Sequence, residues 1–578
     1  MKALLVHVFC AALLSAGVPI TAQAPAPALS ITLKPAAPSS TGTIDAITVH
    51  AEAAQLNVSA GQPLLALRTV DENVQTVALA IHDLKVSDTD GPIPLTIRDE
   101  PTTPEHAERR LWLATRPVHG AVTWSYLAPI TNAPNPRGAA PPLELRSEDS
   151  AFSGQASTFL LLPVSLQPGP FKLRWDLSLL PAGSIAVSSL GLGDQLTPAA
   201  WSSSDIDALY FFAGHLKHYP DRPTAQGFFS AVQGTPPFDG TELLQWTERL
   251  YRYDSGFFQA KGSRFYAVLL RRNLINAGGG VELNHAFIGT FDKQTSPGDL
   301  KLTISHEMVH TFVHGLDGDE FEGSWFSEGI AEYYQRTLPF RAGLLSPVAF
   351  LHDLNLNAAR YYTNPLRHTP NSQIGPQFWI ETRVRVLPYD RGSFYLAALD
   401  DQLRKASGGK RSLDNLILAM LERRSQGQPV NESFWRALLQ GELGQPAIDA
   451  FDAMLRGDDV LPASDAFGPC FRRTTHKLRR YDLGFDPKVL IEPTRIVRGL
   501  REDSNAARAG LRNGDHILHP VPQDAIQADQ NAVLHLSVER DGKSFPIDYL
   551  PRSEEVDAFE WERIPGVPDA DCALSSTI

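Results

Sequence analysis

Cysteine is scarce in this chain: three occur in 578 residues, and Cys10 falls in the apolar run near the start. The two that remain, Cys470 and Cys572, are too few for a disulfide framework. Long apolar runs are missing as well. After the first residues no stretch of eighteen apolar positions occurs, which excludes a helix spanning a membrane and so a stable membrane insertion. Positive charge is also in deficit, with 52 Lys and Arg against 65 Asp and Glu and a net charge of −13. Nothing in that balance favours nucleic acid or an anionic membrane surface.

What is present begins with a targeting signal. Lys2 precedes the apolar run Ala3 to Leu14, and Ala22-Gln-Ala24 supplies the small residues of a cleavage site. Residues 1–24 therefore read as a removable signal peptide, and the mature chain as secreted or periplasmic. Pro25 leaves the cut position open, and Cys10 lies too early to carry a lipid anchor. In an oxidising compartment Cys470 and Cys572 are expected to bridge. A loop of about a hundred residues closed in this way is worth about 4–5 kcal/mol in the chain-entropy account.

The chemistry concentrates in His306-Glu307-Met-Val-His310, followed by Glu328 in Trp325-Phe-Ser-Glu328-Gly-Ile-Ala-Glu332-Tyr-Tyr. Histidines four apart on a helix stack about 6 Å along its axis and can converge on one ion. Catalytic zinc keeps three protein ligands and a water, and Glu307 lies where it can take that water's proton. Ser296-Pro297-Gly298-Asp299 provides a helix start, so the helix is expected from about Pro297 to about Phe312. A third histidine six positions after His310 is absent, since Leu316 stands there. His314 is too far along the axis from His306 to share one ion. Glu328 is the better third ligand, on a second helix for which Ser324 offers a cap, with Gly315-Leu-Asp-Gly318 as the break between them. Glu332 shares its face and either orients a ligand imidazole or is solvated.

The rest of the chain divides by pattern. Residues 25–200 alternate in short β-branched segments bounded by Pro, Gly, Asn and Asp, which predicts a β-sandwich with an exposed excursion from Asn132 to Pro142. Residues 201–465 turn mainly helical, interrupted by a strand near Ser263 to Arg271. That strand leads to Gly279, Gly280 and Glu282, which suit either an exposed sheet edge along a peptide-binding cleft or a plain hairpin turn. Pro388-Tyr389 opens a further helix, where a tyrosine hydroxyl is able to hold an oxyanion or simply pack. Residues 466–578 form a C-terminal domain with a tail.

The zinc-helix motif with Glu328-Gly-Ile-Ala-Glu-Tyr resembles the gluzincin aminopeptidases, and within them the glycyl aminopeptidase family with its C-terminal PDZ domain. That resemblance implies a multidomain α+β chain: a β-rich N-terminal domain, a thermolysin-like catalytic domain and a PDZ domain. It implies one zinc ion per chain, held by His306, His310 and Glu328, with Glu307 as general base. Gly279-Gly280-Val-Glu282 is similar to the loop that binds a substrate's free amine, and Pro388-Tyr389-Asp-Arg-Gly392 to the one whose tyrosine stabilises the transition state. Leu483-Gly484-Phe485 resembles a PDZ carboxylate-binding loop, and Ser504 to Leu518 its helix-turn-strand core; a C-terminal peptide is the implied ligand. Leu283 and Arg391 depart from the family pattern, and the spacer from His310 to Glu328 is short for it. The expected function is an exported zinc aminopeptidase acting on peptides. A PDZ scaffold with a vestigial peptidase domain and an endopeptidase on the same site are the alternatives.

Overall fold

The computed structural model describes residues 27–577, apart from 104–105, 134–140, 198–199, 225, 261–264, 274–276, 284–285, 493, 520 and 522. The signal peptide read in residues 1–24 and most of the Asn132–Pro142 excursion lie outside the described residues.

Period-two alternation builds the N-terminal body as expected. In the strand Leu29–Pro35, Leu29, Ile31 and Leu33 are buried while Ser30, Thr32 and Lys34 alternate toward solvent. This strand pairs antiparallel with Ala46–Val58, which pairs in turn with Val118–Pro129, inside a seven-stranded sheet. A four-stranded sheet containing Pro63–Arg68 and Arg109–Ala114 contributes to the same core, where Ile31 of the first sheet and Leu65 of the second join Trp112, Trp124 and Phe159.

The body extends beyond residue 200. Strand Tyr210–Gly214 pairs with both Ala151–Gln155 and Ile185–Ser188, and all five of its residues are buried. A strand buried on both faces shows no alternation, so its pattern is not separable from that of a helix.

The next body holds more sheet than its sequence pattern suggests. Five strands, Lys217–Tyr219, Phe228–Gln233, Tyr266–Arg272, Ala286–Phe291 and Gly280–Leu283, lie side by side in that order. Gly280–Leu283 is the edge strand and runs antiparallel to Ala286–Phe291. A side chain at Gly280 would collide with the Phe287 ring, so glycine there lets the edge lie flat on its neighbour.

Four helices then carry the chemistry: α1 (Pro297–Phe312), α2 (Glu320–Arg341), α3 (Pro347–Thr363) and α4 (Leu387–Ser407). The bounds of α1 match those expected. Helix α2 starts earlier than expected, because Asp319 accepts from the N–H groups of Phe321 and Glu322 and caps it. Ser324 is inside the helix, its hydroxyl donating to the Phe321 carbonyl at 2.6 Å. Glu328 therefore sits in the third turn, not the first. Helices α2 and α4 cross in backbone contact: a Cβ on Gly329 would lie 2.7 Å from Gly392, and one on Gly392 would collide with the Trp325 carbonyl.

The C-terminal region splits differently from the 466–578 domain expected. Strands Phe471–Tyr481 and Arg552–Arg563 form a long antiparallel ribbon that packs on α3 and belongs to the helical core. Asn355 of α3 exchanges two hydrogen bonds, each 2.8 Å, with the backbone of Trp561. Cys470 and Cys572 are disulfide-bonded at the base of this ribbon. Only the segment between the strands forms a separate unit, built on the hairpin Leu534–Arg540 and Lys543–Tyr549. Among the described residues, no helix is long and apolar enough to cross a membrane.

Candidate metal centre

Helices α1 and α2 bring three donors together. The His306 and His310 Nε2 atoms lie 3.2 Å apart, and a Glu328 carboxylate oxygen lies 3.3 Å from the first and 3.5 Å from the second. These are the ligand atoms of the one His/Glu group among the described residues able to hold a metal. Two imidazole nitrogens and one carboxylate oxygen form the donor set of a catalytic zinc that keeps a water.

The tautomer of His306 is set from behind. Its Nδ1 lies 3.0 Å from the Gln335 side-chain oxygen, while the Gln335 amide nitrogen faces both oxygens of Asp353 at 3.2 Å. A carboxylate accepts only, so the amide must turn its NH2 to Asp353 and its oxygen to His306. Nδ1 thus keeps its proton, and it is Nε2, once it gives up its own, that can offer a lone pair to the metal position. Asp353 is itself held by Arg336 Nε at 2.6 Å.

Glu332 is buried rather than solvated. It accepts from Arg336 at 2.9 Å and lies 3.8 Å from His306 Nδ1, so the closer imidazole partner is Gln335. Sequence reasoning missed Gln335, although it stands seven residues after Glu328 on the same face of α2.

Charges around the donors are strongly coupled. Burial tends to lower the His306 imidazolium, but its hydrogen bond to Glu328 and the charges of Glu307, Glu328 and Glu332 raise it to about 9. Burial would lift the Glu328 carboxyl; His310 and His306 outweigh it and hold it well below the usual range. Burial raises Glu307, with His306 and His310 opposing. The backbone of Glu282 adds a smaller lowering influence on the same carboxyl.

Glu282, on the edge strand, is coupled by charge to the same centre. Its carboxyl is pushed up to about 7, chiefly by burial, with His310 pulling back and Glu307 adding. Tyr389 stacks its ring on that of His306 at 5.8 Å and 19°. Burial and then the charges of Glu328 and Glu307 keep its hydroxyl protonated far above neutral pH. Gly279 accepts from the Thr290 hydroxyl at 2.8 Å beside the same edge.

Other residues singled out in the sequence lie away from the metal donors. Arg391 donates to the Thr369 carbonyl at 2.7 Å, in the interior. In the C-terminal unit, Leu483 and Phe485 are core residues. The Gly484 N–H is taken by Asp482 at 2.9 Å, and the Leu483 carbonyl accepts from the Tyr549 hydroxyl at 2.8 Å. A single 3-10 turn, Pro487–Leu490, follows directly.

Comparison with known proteins bears on one of the two ligand helices. The profile of the M61 glycyl aminopeptidase family matches residues 317–385, the segment that carries Glu328, Glu332 and Gln335. An aminopeptidase N family protein from Idiomarina loihiensis shares the fold over 92% of this chain and 98% of its own, at 14% identity and a TM-score of 0.61. An M1 zinc metallopeptidase variant from Deinococcus radiodurans bound to a Tyr-Ser-Ala substrate overlaps 75% of this chain and 94% of its own, at 16% identity and 0.42. Leukotriene A4 hydrolase from Saccharomyces cerevisiae overlaps 75% and 68%, at 12% identity and 0.42. No curated protein matches the chain. With the family match on its ligand helix, the chain is a zinc-dependent metallopeptidase of aminopeptidase-like type.

Proposed function

We propose that the chain is an exported aminopeptidase that removes residues from the free amino end of peptides. One observation carries the reading: a half-buried carboxyl, Glu282, on a sheet edge is coupled by charge to His310 and Glu307, beside the donors His306, His310 and Glu328.

His306, His310 and Glu328 would hold zinc, one ion per chain. Bound there, zinc supplies a polarising charge for the scissile carbonyl and an acidified water. Glu307 takes the water's proton and returns it to the leaving amine, a task suited to a carboxyl raised by burial. Tyr389 stays protonated and donates to the oxyanion. Glu282 meets the substrate's ammonium, while the open edge Gly280–Leu283 pairs with the peptide backbone.

Glu307→Gln is expected to keep the metal and lower kcat by about 10²–10⁴-fold. Substantial turnover in a metal-loaded preparation would refute the base. Free and N-acetylated forms of one peptide test the exopeptidase reading: only the free form should be cleaved, and Glu282→Gln should raise its KM. Equal cleavage of both forms would make the enzyme an endopeptidase.

The unit between the ribbon strands is PDZ-like in sequence. With the Gly484 N–H already satisfied by Asp482, we assign it a structural place beside the cleft rather than capture of C-terminal peptides.

A further inference from the structure

Away from the metal donors, a cavity of about 630 Å³ opens where the ribbon meets the C-terminal unit and the helical core. Six arginines reach it from four parts of the chain: Arg383, Arg479, Arg480, Arg501, Arg508 and Arg552. Three acids line it too, and two of the arginines answer them. Arg501 pairs with Asp482 and lies 3.9 Å from Asp503, and Arg480 holds Glu554 at 3.0 Å. Arg383 is clamped by Glu381 through two bonds of 2.8 and 2.7 Å.

The other three arginines have no carboxylate at ion-pair distance among the described residues. Arg479 donates to the Gln530 carbonyl at 2.9 Å. Arg508 donates to the Asp503 carbonyl and the Asn505 side-chain oxygen, both at 2.5 Å. Arg552, only 4% exposed, donates through Nη2 to the carbonyls of Ile526, Gln527 and Asp529. Neutral carbonyls satisfy donors but cancel no charge.

A structural role explains part of this. Arg552 Nη2 caps the carbonyl end of the short helix Asp524–Ala528. Its Nε and Nη1 are buried without a hydrogen-bond partner, and its guanidinium lies over the Tyr481 ring at 5.5 Å, so its charge meets no carboxylate. Local excess of positive charge is also unexpected on a chain of net charge −13.

We infer that this cavity is an anion-binding site for a small multivalent oxyanion of the phosphate class. Guanidinium forks match phosphate oxygens in pairs, and several converging forks favour charge greater than one. The volume admits either free phosphate or a phosphate carried on a larger molecule.

The test uses the full-length protein and thermal melting in inorganic phosphate, pyrophosphate or citrate, with chloride at matched ionic strength as reference. Phosphate or pyrophosphate is expected to raise the melting temperature saturably. Free phosphate as the resident ligand predicts the tighter response to phosphate, and a phosphate borne on a larger anion the tighter response to pyrophosphate. Arg479→Gln and Arg508→Gln should each raise the half-saturating concentration by about tenfold, the loss of one charge-assisted hydrogen bond. The anion-free melting temperature of each variant reports its folding directly. No saturable rise above chloride, an unchanged half-saturation in both variants, or a response to citrate alone would overturn the assignment.

Discussion

Asp524 of the C-terminal unit accepts from Arg385 at 2.7 Å, and Arg385 ends the short helix Thr382–Arg385, four residues ahead of Tyr389. The other Asp524 oxygen accepts from the Thr382 hydroxyl at 2.8 Å, and Gln527 donates to the same hydroxyl at 2.9 Å. Burial works against an ionised Asp524, but Arg385 prevails and keeps the carboxyl below its usual range. Both charges are felt at the Tyr389 hydroxyl. The C-terminal unit is thus fastened to the wall of the catalytic cleft.

Asp524→Asn should leave metal content unchanged and lower kcat by about three- to tenfold. That corresponds to about 1 kcal/mol for a half-exposed ion pair that positions its neighbour. Steady-state kinetics with metal analysis checks it, and unaltered kcat would show the contact to be indifferent to catalysis.

Tyr389→Phe removes one donor to the oxyanion and little volume. A drop of about 10²–10³-fold in kcat is expected, with KM nearly constant. A change confined to KM would move Tyr389 from transition-state contact to ground-state packing.

Gln335→Leu should weaken zinc binding by about 10–100-fold, because Nδ1 of His306 loses the acceptor that fixes its proton. Competition with a chromophoric chelator measures this. An affinity equal to wild type would mean that Glu332, 3.8 Å away, suffices.

Zinc uptake should release a proton near neutral pH. His306, raised to about 9 in the metal-free protein, is protonated there and must give up that proton to bind. Affinity should therefore climb as pH rises toward about 9 and flatten above it. Calorimetry in buffers of different ionisation enthalpy counts the proton; a buffer-independent heat would contradict this linkage.

The metal donors are legible in the sequence because helical spacing fixes geometry: His306, Glu307 and His310 need no tertiary information to share a face. Helix α1 is equally legible from Ser296-Pro297. Glu328 emerges once Leu316 and His314 are eliminated, although its helix is capped by Asp319 rather than Ser324, since two acids and a glycine follow the cap and blur the boundary. Gln335 escapes notice because amides carry no charge signal; only Asp353, brought from α3, orients it. The fate of Gly484 is likewise hidden, as nothing in the sequence says that Asp482 bonds back to it. Strand Tyr210–Gly214 is lost to its own burial, and the ribbon to the long insertion between its two strands.

The crossing of α2 and α4 at Gly329 and Gly392 sets more than packing. Glu328 adjoins the first of these positions and Tyr389 lies one turn before the second, so the gap between ligand and hydroxyl is held by the omission of two methyl groups. Alanine at either site would wedge the helices and widen the centre without touching a single reacting atom. Tolerance to substitution here should therefore be as narrow as at the histidines themselves.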